Sequence, residues 1–247
     1  MKTTQPDLRS NAGDKDHRRI ASVTLVIPAL NEADAITQTV NAIPVAEMQR
    51  AGFTTQVLVV DNGSDDGTGD LATKAGATVV REPRRGYGNA LAAGFHNAQG
   101  DVIVTVDADL TYPTADIPAL VTMLRDEDLD FINTNRFPRM APGAMSARNR
   151  VGNGVLSVAS KLLYGLPFSD SQSGMWIFRR DILSRMKLRS TGMAFSEELK
   201  IEAAFYCGLR VKEVPIIYRQ RVGQVKLRAI QDGLYNLRFL VAKRLAR

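Results

Sequence analysis

Four short apolar runs, Ser22 to Ile27, Gln56 to Val60, Thr78 to Val80 and Val102 to Val106, each give way to a polar or glycine-broken loop, and helical patterning fills the segments between them. Repetition of strand, loop and helix constrains the chain strongly. A parallel neighbour can be reached only through a crossover, and such crossovers are right-handed. The runs show little polar alternation, as strands covered on both faces require. At 247 residues and 45% apolar content the chain can bury one substantial core, so a single α/β domain over residues 20–228 is expected, with a mostly parallel sheet and helices on both faces. The first helix is expected from about Glu32 to Ala42 with Asn31 as its cap, and a later one from Gly86 to Ala98.

The fourth run carries the sharpest chemical signal. VIVTV stops at Asp107 and Asp109, two carboxylates separated by the small Ala108. In extended backbone, residues two apart project to one side, so these carboxylates can converge on one point. Two carboxylate oxygens leave most of an octahedral Mg²⁺ or Mn²⁺ shell free for water and a diphosphate. A solvated turn would use the same residues, so the motif gains force from its company. Pro28 to Glu32, Asp61 to Thr68 and Asp107 to Asp109 all follow strands, and ligands of parallel sheets bind beyond the carboxyl ends of strands. A nucleotide could lie across them. Asp61 has the chemistry to accept hydrogens from a base, Glu32 from ribose hydroxyls, and Arg84, Arg85 and Gly86 could approach phosphate.

Composition excludes several classes. No apolar stretch approaches the roughly 18 to 20 residues that span a bilayer, and the N-terminus lacks a signal-peptide core, so a cytoplasmic protein is expected. Residues 1–19 are polar without periodicity and are expected to be a mobile tail. Neither GxGxxG nor a Walker lysine is present, which argues against an ordinary dinucleotide or ATP site. The net charge of +6 is concentrated: from Arg219 onward stand eight bases and one acid, Asp232. A basic end on a near-neutral body suits an anionic partner, a diphosphate or an anionic membrane surface. No zinc spacing, RNP-like strand or helix-turn-helix signal supports nucleic acid. The one cysteine, Cys207, cannot form an internal disulfide.

PALNE at 28–32, VVDNGSDDGT at 59–68, RGYGNALAAGF at 85–95 and DADL at 107–110 together resemble the family 2 inverting glycosyltransferases. The spacing is most similar to the branch of dolichyl-phosphate mannose and polyprenyl-phosphate glucose synthases, over about residues 22–228. The resemblance implies a GT-A fold, a nucleotide-sugar donor linked through UDP or GDP, and a divalent metal. Carried over by position, it implies that Pro28, Asn31, Glu32 and Asp61 form the nucleoside pocket, and Asp107 and Asp109 the metal and diphosphate site. Glutamine is frequent in the branch where Thr111 stands; threonine offers an oxygen as a possible further metal contact.

The second half should hold the acceptor. Phe131 to Asn135 reads as a strand, followed by Arg136, Arg139, Arg148 and Arg150, and no acid occurs from Phe131 through Ser169. Guanidinium groups there could neutralise a leaving diphosphate or hold an acceptor phosphate, Arg136 first among them. Val151, Val155, Val158, Ala159, Leu162 and Leu163 recur at helical spacing, as a core-facing stripe or an acceptor-lipid groove. Asp170 to Gly174 resembles the D-x-x-S-G segment of the lipid-phosphate branch, which implies that Asp170, Gln172 and Ser173 face the transferred sugar; Asp170 could equally cap a turn. Trp176 to Phe178 and Val211 to Tyr218 read as strands, with a helix from Phe195 to Cys207 between them that Gly208 stops. The segment from Arg221 to Leu227 is similar to the family's closing phosphate segment, which makes Arg221 and Lys226 phosphate candidates.

Inverting transfer to a hydroxyl needs a carboxylate base, with Asp170 or Glu197 available, whereas a lipid phosphate is already anionic and needs none. Transfer to a polyprenyl phosphate is therefore the leading expectation. A soluble hydroxyl acceptor is the alternative, and a nucleotide-sugar-binding module without turnover fits the acid-rich motifs least. In residues 229–247, Ile230, Leu234, Leu237, Val241 and Leu245 form one apolar stripe beside Arg238, Lys243, Arg244 and Arg247. Such a basic amphipathic helix suits either the membrane interface or packing on the domain.

Overall fold

The computed structural model describes residues 20–223 and 229–246. The 1–19 tail and Lys226 lie outside the described residues. Seven strands, β1 (Ser22–Ala29), β2 (Thr54–Asp61), β3 (Thr78–Arg81), β4 (Val102–Thr105), β5 (Phe131–Met140), β6 (Trp176–Arg179) and β7 (Val211–Tyr218), form one sheet in the order β3-β2-β1-β4-β6-β5-β7. The pairs β1–β2, β1–β4, β2–β3 and β5–β7 are parallel. Strand β6 runs antiparallel to both β4 and β5, so the sheet is mostly parallel with one reversed strand near its middle. The first strand runs past Ile27, where the apolar run ended, with Pro28 paired to Val60 within it.

Helices cover both faces. Helices α1 (Ala33–Asn41), α2 (Val45–Arg50), α3 (Thr68–Lys74) and α5 (Ile117–Asp126) lie on the face to which β1 turns Leu25 and Ile27. Helix α4 (Tyr87–Asn97) packs on the other face, where Val26, Leu58 and Ile103 point. That alternation along β1 follows from the two-residue period of a strand. Helix α4 comes so close that a Cβ on Gly94 would stand 2.3 Å from Cγ1 of Val26, which explains a glycine inside a helix. On the same face, Phe131, Trp176 and Phe178 are fully buried, and cutting any of them to alanine is expected to cost about 3–5 kcal/mol.

Helices α6 (Ala147–Tyr164), α7 (Phe195–Ile201) and α8 (Ala229–Leu245) complete that face. Two sequence expectations are corrected here. The valine stripe of α6 does not face the core: Val151, Val155, Val158 and Leu162 are exposed, and the buried side is Leu156, Ser157, Ser160 and Tyr164. The serines are tolerated inside because their hydroxyls are hydrogen-bonded, Ser160 to Glu197 and Ser157 to Ser171. Asn31 does not cap α1 either; it has φ 51°, and the first helical N–H, that of Ala33, is received by the Asp66 carboxylate at 2.9 Å. The helix begun by α7 continues as a π turn, Glu202–Tyr206, before Gly208 turns the chain with φ +57°. No described helix is long and apolar enough to cross a membrane.

Candidate active site

The loops after β1, β2 and β4 open on one edge of the sheet, as parallel pairing dictates. Strand β4 ends at Thr105, so Asp107 and Asp109 stand on a turn rather than on extended backbone. The turn, not strand alternation, brings them together. Its unusual residue is Leu110, with φ 65°, a conformation seldom adopted by a branched side chain and one that concentrates at functional sites. It folds Thr111 back on Asp109, whose Oδ1 accepts from the Thr111 N–H at 3.1 Å and from its hydroxyl at 2.6 Å. Thr111 is buried and orients Asp109 with its hydroxyl hydrogen, which leaves the hydroxyl oxygen that the sequence offered as a further metal contact beside that carboxylate.

Arg221 approaches from the segment after β7, with Nη2 3.0 Å from Oδ2 of Asp109. Two backbone bonds hold that segment in place: Arg219 N–H to Thr111 O at 2.9 Å and Val222 N–H to Asp109 O at 3.0 Å. The Nε of Arg221 is buried without a hydrogen-bond partner among the described residues. Burial, and then the neighbouring Asp109 charge, push the Asp107 carboxyl up to about 7. Tyr87 donates to it at 3.4 Å. A Cβ on Gly174 would stand 3.2 Å from Oδ1 of Asp107, so glycine keeps that carboxylate uncrowded. Two hard oxygen donors raised in energy by mutual repulsion fit Mg²⁺ or Mn²⁺, with the remaining ligands to come from water or phosphate. No cluster of three or more His, Cys, Asp or Glu joins them among the described residues.

Arg136 and Asp170 are brought together, but into each other. Nε and Nη2 of Arg136 donate to Asp170 at 2.7 and 2.8 Å, its N–H donates at 3.0 Å, and Asp170 is fully buried. Burial alone would raise the Asp170 carboxyl, yet the guanidinium outweighs it and holds the group below the usual carboxylate range. The ion pair braces β5 against the 170–174 loop, so Asp170 does not face a sugar. Ser173 is likewise buried, its hydroxyl 2.7 Å from that of Thr134.

Glu197 is fully enclosed rather than exposed to an acceptor. Its carboxylate accepts from Ser160 at 3.0 Å, from Ser171 at 2.9 Å and from the Gln172 amide. Lys200, one turn later and also fully buried, donates to the carbonyls of Ser171 and Ser173 at 2.5 and 2.8 Å and to the Ser196 hydroxyl at 2.9 Å. Only the ammonium form can donate to all three at once. Burial pushes Lys200 down and Glu197 up, and their opposite charges hold both against it. Of the 170–174 side chains, Gln172 is only partly buried, its amide fixed between Glu197 and Asn236 of α8.

At the opposite end of the loops, Asp61 is nearly buried and accepts from the Ser64 N–H at 2.9 Å. A cleft of about 350 Å³ opens there, with Asp61, Ser64 and Thr68 on one side and Arg81, Glu82 and Pro83 on the other. Asn31 accepts from the Asp65 N–H, and the Glu32 N–H donates to Thr68, so the loops after Pro28 and Asp61 are tied together. Asn62 anchors the next loop, receiving the Gly86 N–H at 2.7 Å and donating to the carbonyls of Glu82 and Arg84. Gly86 has φ +141°, and a Cβ there would stand 2.3 Å from the Thr191 carbonyl oxygen. Arg84 pairs with Glu82, and exposed Arg85 donates to the Gly63 carbonyl. Arg148 is exposed in the first turn of α6.

Sequence reasoning missed Asn62, Tyr87 and Lys200. Asn62 and Tyr87 lie inside the motifs that were read, but their partners are 20 or more residues away. Lys200 has the i+3 spacing from Glu197 of an ordinary surface pair, and nothing in its neighbourhood signals burial.

The sequence profile of Glycosyl transferase family 2 matches residues 24–186. The low-salt glycan biosynthesis hexosyltransferase Agl6 of Haloferax volcanii is 36% identical over 224 residues, which take in 89% of this chain and 53% of that protein, so this chain spans about half its length. A dolichyl-phosphate hexose transferase of the same organism is 34% identical over 212 residues, 85% of this chain and 89% of that protein. Among solved structures, glucosyl-3-phosphoglycerate synthase from Mycobacterium tuberculosis, in complex with Mn²⁺, uridine diphosphate and glucosyl-3-phosphoglycerate, gives a TM-score of 0.70 over 99% of this chain and 86% of that one. At 21% identity this is a likeness of fold.

Proposed function

We propose, since the chain belongs to glycosyl transferase family 2, that it transfers a sugar with inversion from a UDP- or GDP-linked donor to a polyprenyl phosphate at a membrane surface. The observation that carries the acceptor is the state of the carboxylates. Asp170 is locked to Arg136, Glu197 is enclosed by three donors, and Glu198 accepts the N–H groups of Arg189 and Ser190 and pairs with Lys243. None of the three is placed to take a proton from a hydroxyl. A phosphate monoester brings its own anionic oxygen and requires no base. The similarity to a dolichyl-phosphate hexose transferase supports the same acceptor class.

On this reading Asp107 and Asp109 would hold Mg²⁺ or Mn²⁺, which supplies positive charge to the leaving diphosphate. Arg221 adds a guanidinium whose Nε still has a hydrogen bond to give, and a phosphate oxygen is the acceptor that suits it. Asp61 and Glu32 receive base and ribose donors, with Pro28 and Asn31 shaping that wall, and Arg85 and Gly86 border the phosphates. Gln172 meets the sugar, held in one orientation by Glu197 and Asn236. Arg136 contributes field rather than contact. Arg148 and Lys226 are candidates for the acceptor phosphate.

The test is direct. The full chain is incubated with UDP- and GDP-sugars, Mg²⁺ or Mn²⁺ and a short polyprenyl phosphate, with products read by mass spectrometry and anomeric configuration by NMR. A glycosyl phospholipid of inverted configuration is expected. Transfer to hydroxyl acceptors with none to phosphate would overturn the reading.

A further inference from the structure

Twelve large apolar side chains are exposed among the described residues, and eight of them lie on α6 and α8. On α6 they are Val151, Val155, Val158 and Leu162, with exposures of 67, 55, 58 and 81%. Their spacings of four, three and four put them on one line along the helix. On α8, Leu234, Val241 and Leu245 form a second exposed line. Scattered exposed apolar residues are ordinary, but contiguous rows mark an interaction surface.

Both rows face the same way. Helix α6 rests on α7 through Ser160 and Glu197, and α8 rests on the same helical segment through Lys243, which pairs with Glu198 at 3.0 Å and Glu202 at 2.8 Å. The two helices are tied side by side, the Tyr164 hydroxyl donating to Leu240 O at 2.7 Å and Arg244 Nε to Leu163 O at 3.0 Å. Their exposed rows therefore lie on the side away from α7.

Charge decides what covers them. Helix α6 contains Arg148, Arg150 and Lys161 and no acid. By helical spacing Arg148 falls on one flank of the row, and Arg150 and Lys161 on the other. On α8, exposed Arg238 stands within the second row, between Leu234 and Val241, and exposed Arg244 flanks it. A second copy meeting this face about a twofold axis would set base against base. An anionic lipid surface accepts both features at once, the apolar rows entering the acyl boundary and the bases meeting headgroups.

We propose that α6 and α8 together form a docking surface for an anionic bilayer, with the α6 row as a principal anchor; the inference rests on the lipid-acceptor reading above. It gives the site a fixed standing relative to the bilayer. The Ser171 N–H donates to Ser157 of α6 at 3.0 Å, and Asn236 of α8 donates to Gln172 at 3.2 Å. The loop whose Gly174 backs Asp107 is thus carried directly on the docked helices.

The test compares the full chain with its Val155→Glu/Leu162→Glu variant, which alters exposed positions only. Co-sedimentation is measured with vesicles of phosphatidylglycerol and phosphatidylcholine and with phosphatidylcholine alone, alongside melting temperature and UDP-sugar binding. The parent should bind the anionic vesicles in a salt-sensitive way, and the variant about tenfold or more weakly, with melting and donor binding unchanged. Parent-like vesicle binding by the variant, or none by the parent, overturns the proposal. So does a concentration-dependent dimer in ultracentrifugation that the variant abolishes while vesicle binding persists. Transfer to a water-soluble short-chain polyprenyl phosphate should survive in the variant. Failure of that transfer in the parent would count against the lipid-acceptor reading, while the sedimentation result separately judges the surface.

Discussion

Arg136 and Asp170 meet fork to fork at 2.7 and 2.8 Å, with side-chain exposures of only 8 and 0%. Their pairing turns two candidate ligand contacts into a brace. Either charge left alone inside the protein is costly, so Arg136→Met or Asp170→Leu should each lower stability by about 3–5 kcal/mol, and the double variant by less than the sum. Urea denaturation of the four proteins measures this. A full-strength melt with lost turnover in Arg136→Met would return Arg136 to the phosphate.

The same pair fixes an acid limb. Asp170 is depressed below its ordinary value of 3.8, because the Arg136 guanidinium overcomes the opposing effect of burial. A depressed carboxyl contributes its stability in full above the unfolded value and loses it as the pH falls through the folded one. Its share of acid destabilisation should therefore lie below pH 3.8. Asp170→Asn should be less stable throughout and flatter in that window, as read from melting temperature against pH.

Much of this was legible because it is local. Apolar runs ending in Asp61 and Asp107 placed the strands and the loops beyond them, and parallel pairing then put those loops on one edge. The reversed β6 was not legible, since three buried residues such as Trp176, Ile177 and Phe178 carry no mark of direction. The α6 row shows a second limit. Periodicity identifies a face but not what covers it, and here Ser157 and Ser160 point inward because Ser171 and Glu197 are there to receive them. Roles misread at Asp170, Ser173 and Glu197 have the same origin, partners supplied by distant segments.

The Asp109–Arg221 contact predicts metal dependence with a separable arginine effect. Chelation should abolish transfer and added Mg²⁺ or Mn²⁺ restore it; Asp109→Asn should be inactive at any metal concentration. Arg221→Lys keeps the charge but removes the Nε donor, and should lower kcat about a hundredfold with donor affinity less affected, because on the proposed reading its hydrogen bond meets charge that grows in the transition state. Full turnover in chelator would sink the metal assignment.

Lys200 should act as a positioning residue. Lys200→Met preserves length but strands the Ser171 carbonyl, takes one donor from that of Ser173 and leaves Glu197 without a countercharge, an expected loss of about 3–5 kcal/mol. In the folded fraction, Gln172, proposed to meet the sugar, loses its fixed frame, so kcat should fall while UDP-sugar binding at the Asp61 end is retained. Unchanged melting would show that the ammonium is dispensable to the loop.

Helix α8 should prove inseparable from the domain, although its amphipathic sequence equally suggests a detachable anchor. Lys243 is 11% exposed and sits between Glu198 and Glu202, which are 3 and 1% exposed. Deleting residues 229–247 would remove the ammonium that the two carboxylates share, uncover the apolar surface beneath α8 and strip the Tyr164 hydroxyl of its Leu240 acceptor. Breaking a buried ion pair costs several kcal/mol, a large part of the roughly 5–15 kcal/mol that holds a domain together. The truncated chain should therefore melt far below the parent or fail to fold, and Lys243→Met alone should reproduce about 3–5 kcal/mol of the loss. Circular dichroism melting of both proteins decides the matter. A truncated chain that melts with the parent would make α8 a separable anchor, leaving the α6 row as the membrane contact built into the domain.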